Sequence, residues 1–145
     1  MLRIDTPTYS TRDLGLLVLR LGVGTSLALF HGWGKISGGP ARWHDIGTAM
    51  PDLGLAFLPA FWGFMAGFAE FFASILLAVG FLFRPAAALL AFTMLVAITH
   101  HLRIPAGDPG SGWRAASHAV ELFCVFVALF LSGPGKYALG LLRKR

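Results

Sequence analysis

Residues 55–83 read LAFLPAFWGFMAGFAEFFASILLAVGFLF up to the arginine at position 84, and this stretch decides the fold. Its only charged side chain is Glu70, set among Phe, Leu, Ala and Gly. A predominantly apolar run of ~20 residues is long enough to cross the hydrocarbon core of a bilayer as a helix. Three further runs have the same character, so the expected spans are about 14–36, 55–83, 86–102 and 113–132. The whole chain agrees, with 56% hydrophobic and 13% charged residues and a mean hydropathy of +0.69. Soluble domains average ~25% charged residues. The expected fold class is all-α: an integral membrane four-helix bundle forming a single domain, 1–145, with the lipid bilayer as its first partner.

The connections follow from helix-breaking residues. Asp13 is the expected N-cap of the first span. Residues 37–54 carry Gly38, Gly39, Pro40 and Pro51 and should form a loop. A short interfacial helix over Ala41 to Met50 would place Trp43 at headgroup level. Arg84-Pro85 is expected to turn the chain, because the residue before proline disfavours the helical region. Residues 103–112 read as a polar loop, and Gly133-Pro134-Gly135 stops the fourth span. The segment before Leu14 is polar and the apolar run after it is too long for a signal-peptide core, so that run is expected to stay as a span.

Charge sets the orientation. Arg3, Arg12, Arg84, Lys136, Arg143, Lys144 and Arg145 fall on one side, and Lys35, Arg42, Arg103 and Arg114 on the other. The excess predicts both termini in the cytoplasm, N-in and C-in. The same basic loops account for a sequence pI of about 10.2, so no nucleic-acid partner is expected. Cys124 is the only cysteine, which excludes an intrachain disulfide and a Cys-x-x-Cys centre.

Ionisable side chains inside the spans carry the functional signal. They are Arg20, His31, Lys35, Glu70, His100, His101, His118 and Glu121. A charge at the centre of a membrane helix costs ~2.5–3.5 kcal/mol on insertion scales and usually faces a partner or a water-filled cavity. At about 100° per residue, four stripes emerge. They are Arg20, Gly24, Leu27 and His31; Gly63, Gly67, Glu70 and Ser74; Ala86, Thr93, Ala97 and His100; and Arg114, His118, Glu121 and Val125. Four such stripes predict a shared polar interior. By helical rise, Glu70 lies near the midplane, Arg20 in the inner half, and the histidines toward the outer side. His100 and His101 diverge, so at most one should face inward, and Lys35 should snorkel to the interface.

Three chemistries fit this pattern. A quinone headgroup needs a donor to its carbonyl oxygens and a proton source. Glu70 and Glu121 would handle protons as the catalytic pair, with Arg20, His31, His118 and His100 binding the ligand. Haem or a metal fits less well. His118 and Glu121 at i, i+3 resemble half of a carboxylate–histidine site, but two carboxylates in the spans are too few for a di-iron centre. No metal ligand is therefore assigned. In the third reading Arg20–Glu70 and His118–Glu121 pair with each other and hold the helices in register.

Several motif pieces occur in a characteristic order. They are Leu19-Arg20-Leu21-Gly22, His31-Gly32-Trp33-Gly34-Lys35, Glu70 with Leu76-Leu77-Ala78-Val79-Gly80, Arg84-Pro85-Ala86-Ala87, Glu121, and Gly133-Pro134-Gly135-Lys136-Tyr137. Together they resemble the DoxX family from about Leu14 to Tyr137. After Tyr137 the chain departs from that pattern, with Ala138-Leu139-Gly140 in place of a Ser-Leu-Asp-like ending. The resemblance implies a four-helix protein of the bacterial inner membrane. It also implies redox work, as in quinone-reducing subunits of sulfur-compound oxidoreductases or partners in oxidative-stress complexes. Arg20, His31, Lys35, Glu70, Arg84 and Glu121 are the matched polar positions, while His100, His101 and His118 rest on spacing. The expected function is a redox-associated, quinone-interacting membrane subunit that works with a membrane or soluble oxidoreductase subunit. The alternative is a non-catalytic partner or assembly factor with a structural polar interior.

Overall fold

The protein is described by a computed structural model covering residues 10–142. Arg3, Arg143, Lys144 and Arg145 of the charge count, and most of the polar N-terminal segment, lie outside the described residues. The described residues form helices and connections, with no strand among them. Helix α1 spans Thr11–Ile36 and α2 Gly39–Gly47. A 3-10 turn over Met50–Leu53 precedes α3, Pro59–Val79. Then come α4, Phe83–Arg103, and α5, Gly112–Ser132, followed by a short α6, Leu139–Leu142. Helices α1, α3, α4 and α5 are each long and apolar enough to cross a membrane.

Local chemistry moves the boundaries. Helix α1 begins at Thr11 after an extended Ser10, so Asp13 lies in its first turn and is not the cap. Its Oδ1 instead accepts the Lys136 backbone N–H at 3.1 Å. Helix α3 starts at Pro59, later than the apolar run suggested, because Leu58 takes a left-handed φ of 50°. Proline suits that first helical position, where its missing N–H would have no acceptor anyway. Gly80, at φ 73°, ends α3. The turn therefore falls before Phe83, and Arg84 and Pro85 sit in the first turn of α4. Proline is tolerated there for the same reason.

Helix α1 packs on the second half of α3, that half packs on α4, and α4 lies along α5. The backbones of α1 and α5 scarcely meet, which leaves a seam between them. Leu27, Leu77, Leu90, Phe126 and Leu129 fill the centre. In a bilayer such helices are held by close packing more than by exclusion of water. Two ends can be told apart. Asp13, Gly80 and the Ser132–Tyr137 stretch share one end, where Arg12 Nη2 donates to the Ser132 carbonyl at 3.3 Å. Helix α2 and the α4–α5 loop mark the other, the His100 end.

Two π-helical turns, Leu27–Gly32 in α1 and Ala69–Ala73 in α3, face each other. A Cβ on Gly32 would lie 2.6 Å from the Glu70 backbone, so only glycine allows this approach. A π turn holds more residues than an α turn and shifts every position beyond it. The buried set of α1 therefore runs Arg20, Gly24, Leu27, Ala28 and Gly32, and His31 is turned outward. The α3 stripe of Gly63, Gly67, Glu70 and Ser74 is buried throughout, as its spacing predicts. On α5 the buried residues are Ala116, Ala119, Phe126 and Leu129. The polar stripe expected to face inward there, with His118 and Glu121, lies on the exposed side.

Candidate functional site

From Pro59 to Phe68, α3 scarcely touches α4, and the gap between them holds a cavity of about 410 Å³. Small-molecule sites commonly fall between ~300 and 1,000 Å³. Helix α2 closes one side. Gly47 rests on the Pro59 backbone and Gly63 on the Trp43 backbone, and a Cβ on either would collide. The Trp43 indole N–H donates to the Lys35 carbonyl at 2.9 Å, and its ring meets Phe64 edge-on at 5.0 Å. Trp43 thus ties α2 to the end of α1 and to α3.

The cavity walls are mainly apolar, with Met50, Met65, Phe61, Leu89 and Phe92 among them. Phe61, Leu89 and Phe92 are also exposed on the outside of the bundle, so the cavity borders its lateral surface. Polar groups occur at two levels. Deepest is an ion pair, with Lys35 Nζ donating to Glu70 Oε1 at 2.6 Å. The Glu70 side chain is 4% exposed and that of Lys35 28%. Glu70 Oε2 is buried with no partner, and so is the indole N–H of Trp62. Both residues line the cavity. A buried polar atom left unpaired costs free energy, so these two atoms mark where a ligand's polar groups would be welcome.

At the mouth, His100 Nδ1 lies 2.9 Å from Asp52 Oδ2 on the 3-10 turn. His101 Nδ1 donates to the Gly110 carbonyl at 2.8 Å. Both histidines border the cavity, although their divergence on the helix predicted one. The gap beside α3 is wide enough to be lined from two adjacent positions of α4. Lys35 is the larger correction. It lies at the end of α1 where a lysine would ordinarily snorkel, yet it turns in to Glu70, and Gly67 leaves room beside its Cβ. Regular spacing gave no dependable signal for it, because the π turn over Leu27–Gly32 resets the register of α1 before Lys35. Trp62 and Asp52 carried no signal either.

The remaining candidates lie elsewhere. Arg20, 2% exposed, donates from Nη1 to the Pro134 carbonyl at 2.8 Å and from Nη2 to the Tyr137 carbonyl. It is locked at the Asp13 end, far along the bundle from the partner the spacing suggested, Glu70. His31 and His118 stack with ring centroids 5.4 Å apart. They do so in the α1–α5 seam, where a groove of about 220 Å³ also touches Gly22, Ser26 and Leu122. Both histidines are exposed, as is Glu121, which lines neither cavity. No His118–Glu121 ion pair forms among the described residues. Nor do they include a group of three His, Cys, Asp or Glu side chains placed to hold a metal ion.

Comparison with family models gives a match. The DoxX family model matches residues 15–102, from the first turn of α1 to the end of α4. Neither the curated proteins nor the solved structures return a match. The matched segment spans more than half of the chain and contains Lys35, Trp62, Glu70 and His100 with the whole lining of the larger cavity. With four helices able to cross a membrane, the chain is a multi-pass membrane protein that belongs to the DoxX family.

Proposed function

We propose that this protein is a redox-associated membrane subunit that binds a quinone in the cavity between α3 and α4. One observation carries the reading: the unpaired Glu70 Oε2, beside Lys35, in an apolar cavity that borders the lateral surface. A quinone is a flat apolar ring with polar oxygens and a lipid-soluble tail. Its ring suits walls of Met and Phe, and its tail can leave past Phe61 and Phe92 into the bilayer.

The ion pair suits both redox forms. The Lys35 ammonium donates to a quinone carbonyl oxygen, and Glu70 Oε2 accepts from a quinol hydroxyl. Converting one form to the other takes two electrons and two protons. The electrons would come from a partner oxidoreductase subunit, and the protons through His100 and Asp52 at the mouth to Lys35 and Glu70. Arg20, His31, His118 and Glu121 take no part at this cavity. We further propose the bacterial inner membrane as the location, with the Asp13 end in the cytoplasm on the strength of the Lys and Arg excess. That orientation turns the cavity mouth away from the cytoplasm.

The test is titration of the purified protein with a short-tailed quinone and its quinol, followed by quenching of tryptophan emission, with Trp62→Phe identifying the reporter. Glu70→Gln is expected to weaken quinol binding about tenfold, the scale of one hydrogen bond to a charged group. Wild-type affinity in both Glu70→Gln and Lys35→Met would refute the assignment. A second reading has its own support, because the Lys35–Glu70 contact joins α1 to α3 whether or not a ligand is present. In that reading the protein is a non-catalytic partner or assembly factor, and wild-type protein binds no quinone.

A further inference from the structure

Two imidazoles stand apart from the larger cavity, in the seam where the backbones of α1 and α5 scarcely meet. The π turn over Leu27–Gly32 delivers the first. It turns His31 out of the core while Gly32 is held against the Glu70 backbone. Departures of this kind from α-helical geometry are frequent at functional sites. The second, His118, comes from the first half of α5, where Ala116 and Ala119 are the buried positions. Both histidines lie about 8–9 Å from the helix ends at the His100 end, close to headgroup level. Both are exposed, so an ion in water can reach them.

The ring centres are 5.4 Å apart and the ring planes 27° from parallel. A coordinating imidazole nitrogen sits roughly 2.0–2.1 Å from a transition metal, which puts its ring centre roughly 3.2 Å away. Two rings meeting on one ion at a tetrahedral or trigonal angle therefore have centres roughly 5.2–5.6 Å apart, against roughly 6.4 Å for a linear pair. The spacing across the seam is the bent one. Aiming one nitrogen of each ring at a shared point takes only rotation about χ2, a broad torsion in histidine. The ring centre lies almost on that axis, so the spacing survives the rotation and neither backbone has to move.

Charge points the same way. Glu121 is exposed within the span, one turn along from His118, and takes part in no ion pair among the described residues. Cα–Cβ bonds tilt toward a helix N-terminus, so Glu121 leans toward His118 while Arg114 leans away, to the end of α5. A cation held by the two imidazoles offsets that carboxylate at a depth where lipid offers it nothing. Two protein ligands leave the rest of a four-coordinate shell open to water. Ser26 lines the same groove of about 220 Å³, and its hydroxyl can hydrogen-bond to water held there.

We propose that His31 and His118 bind a late first-row transition-metal ion, zinc or copper, which clamps α1 to α5 across the seam. Imidazole is a good ligand for both. The site needs no quinone and stands independently of the cavity between α3 and α4.

The test is calorimetric titration of tag-free, full-length protein in nanodiscs with Zn²⁺ alone. One ion per chain is expected, and the thermal midpoint should rise with Zn²⁺ because the ion is held only by the folded chain. His31→Gln and His118→Gln should each weaken binding at least about tenfold, or ~1.4 kcal/mol, at unchanged helix content. The triple variant His44→Gln, His100→Gln, His101→Gln should bind Zn²⁺ as the wild type does. With Cu²⁺ as a second probe, electron paramagnetic resonance should show two nitrogen ligands in the wild type and one in each single variant. Three results overturn the proposal. They are no Zn²⁺ binding by the wild type, wild-type affinity in both single variants, and loss of binding in the triple variant, which would put the ion at the cavity mouth.

Discussion

Arg20 and Glu70 are the two buried charged side chains among the described residues, and the fold treats them in opposite ways. Arg20 donates to two carbonyls of the segment after α5, and Gly80 packs against its guanidinium. Its Nε is buried without a partner as well, but neither of the two cavities described above reaches it. Glu70 has one oxygen on Lys35 and the other on nothing, facing a space large enough for a small molecule. A closed site uses its charge to hold helices together. An open site keeps part of its hydrogen-bonding capacity in reserve, and that reserve is what a ligand can use.

Substitutions that act on one site and spare the other can break the comparison. The largest effect is expected from Arg20→Leu, which strands the Pro134 and Tyr137 carbonyls and costs about 3 kcal/mol or more in thermal unfolding. Quinone binding by the folded fraction should stay unchanged. Next comes Lys35→Met, which leaves a buried carboxylate without its cation. The expected loss is about 2 kcal/mol, below the usual range for a fully buried pair because Lys35 is partly exposed. The double variant Lys35→Met with Glu70→Leu should recover much of that stability while binding no quinone, a separation that a purely structural pair would not show.

Gly32→Ala sharpens the contrast from the backbone side. Its Cβ would press on Glu70 where the π turns meet, at a cost of about 1–3 kcal/mol. The same push displaces the carboxylate, so stability and quinone affinity should fall together. The smallest effect is expected from Asp52→Asn. A half-exposed pair contributes no more than about 1 kcal/mol, so unfolding should barely change, while proton-coupled turnover with a partner slows.

The spans were legible from apolar run length, and Gly63, Gly67 and Glu70 of the α3 stripe from their spacing, because α3 stays close to regular as far as Glu70. The register of α1 beyond Leu27 was not legible. Periodicity assumes 100° per residue, and the π turn breaks that assumption where the site begins, turning His31 out and Gly32 in. The polar stripe on α5 was read correctly as a stripe and assigned to the wrong side. Spacing shows that polar residues share one face of a helix but not which way that face turns, and α5 buries Ala116, Ala119, Phe126 and Leu129 instead. The splay of α3 from α4 leaves no periodic trace in either helix. The cavity it opens therefore had to be seen in three dimensions, as did Trp62 and Asp52.

The most direct measurement is photolabelling with an azidoquinone in membranes, with peptide mapping of the adducts. Adducts are expected on the cavity wall, at Trp62, Met65 or the segment around His100, and should decline on competition with unlabelled quinone and in Glu70→Gln. Adducts confined to the groove at His31 and His118, or scattered over lipid-facing residues without competition, would contradict a quinone site at the open end of the Lys35–Glu70 pair.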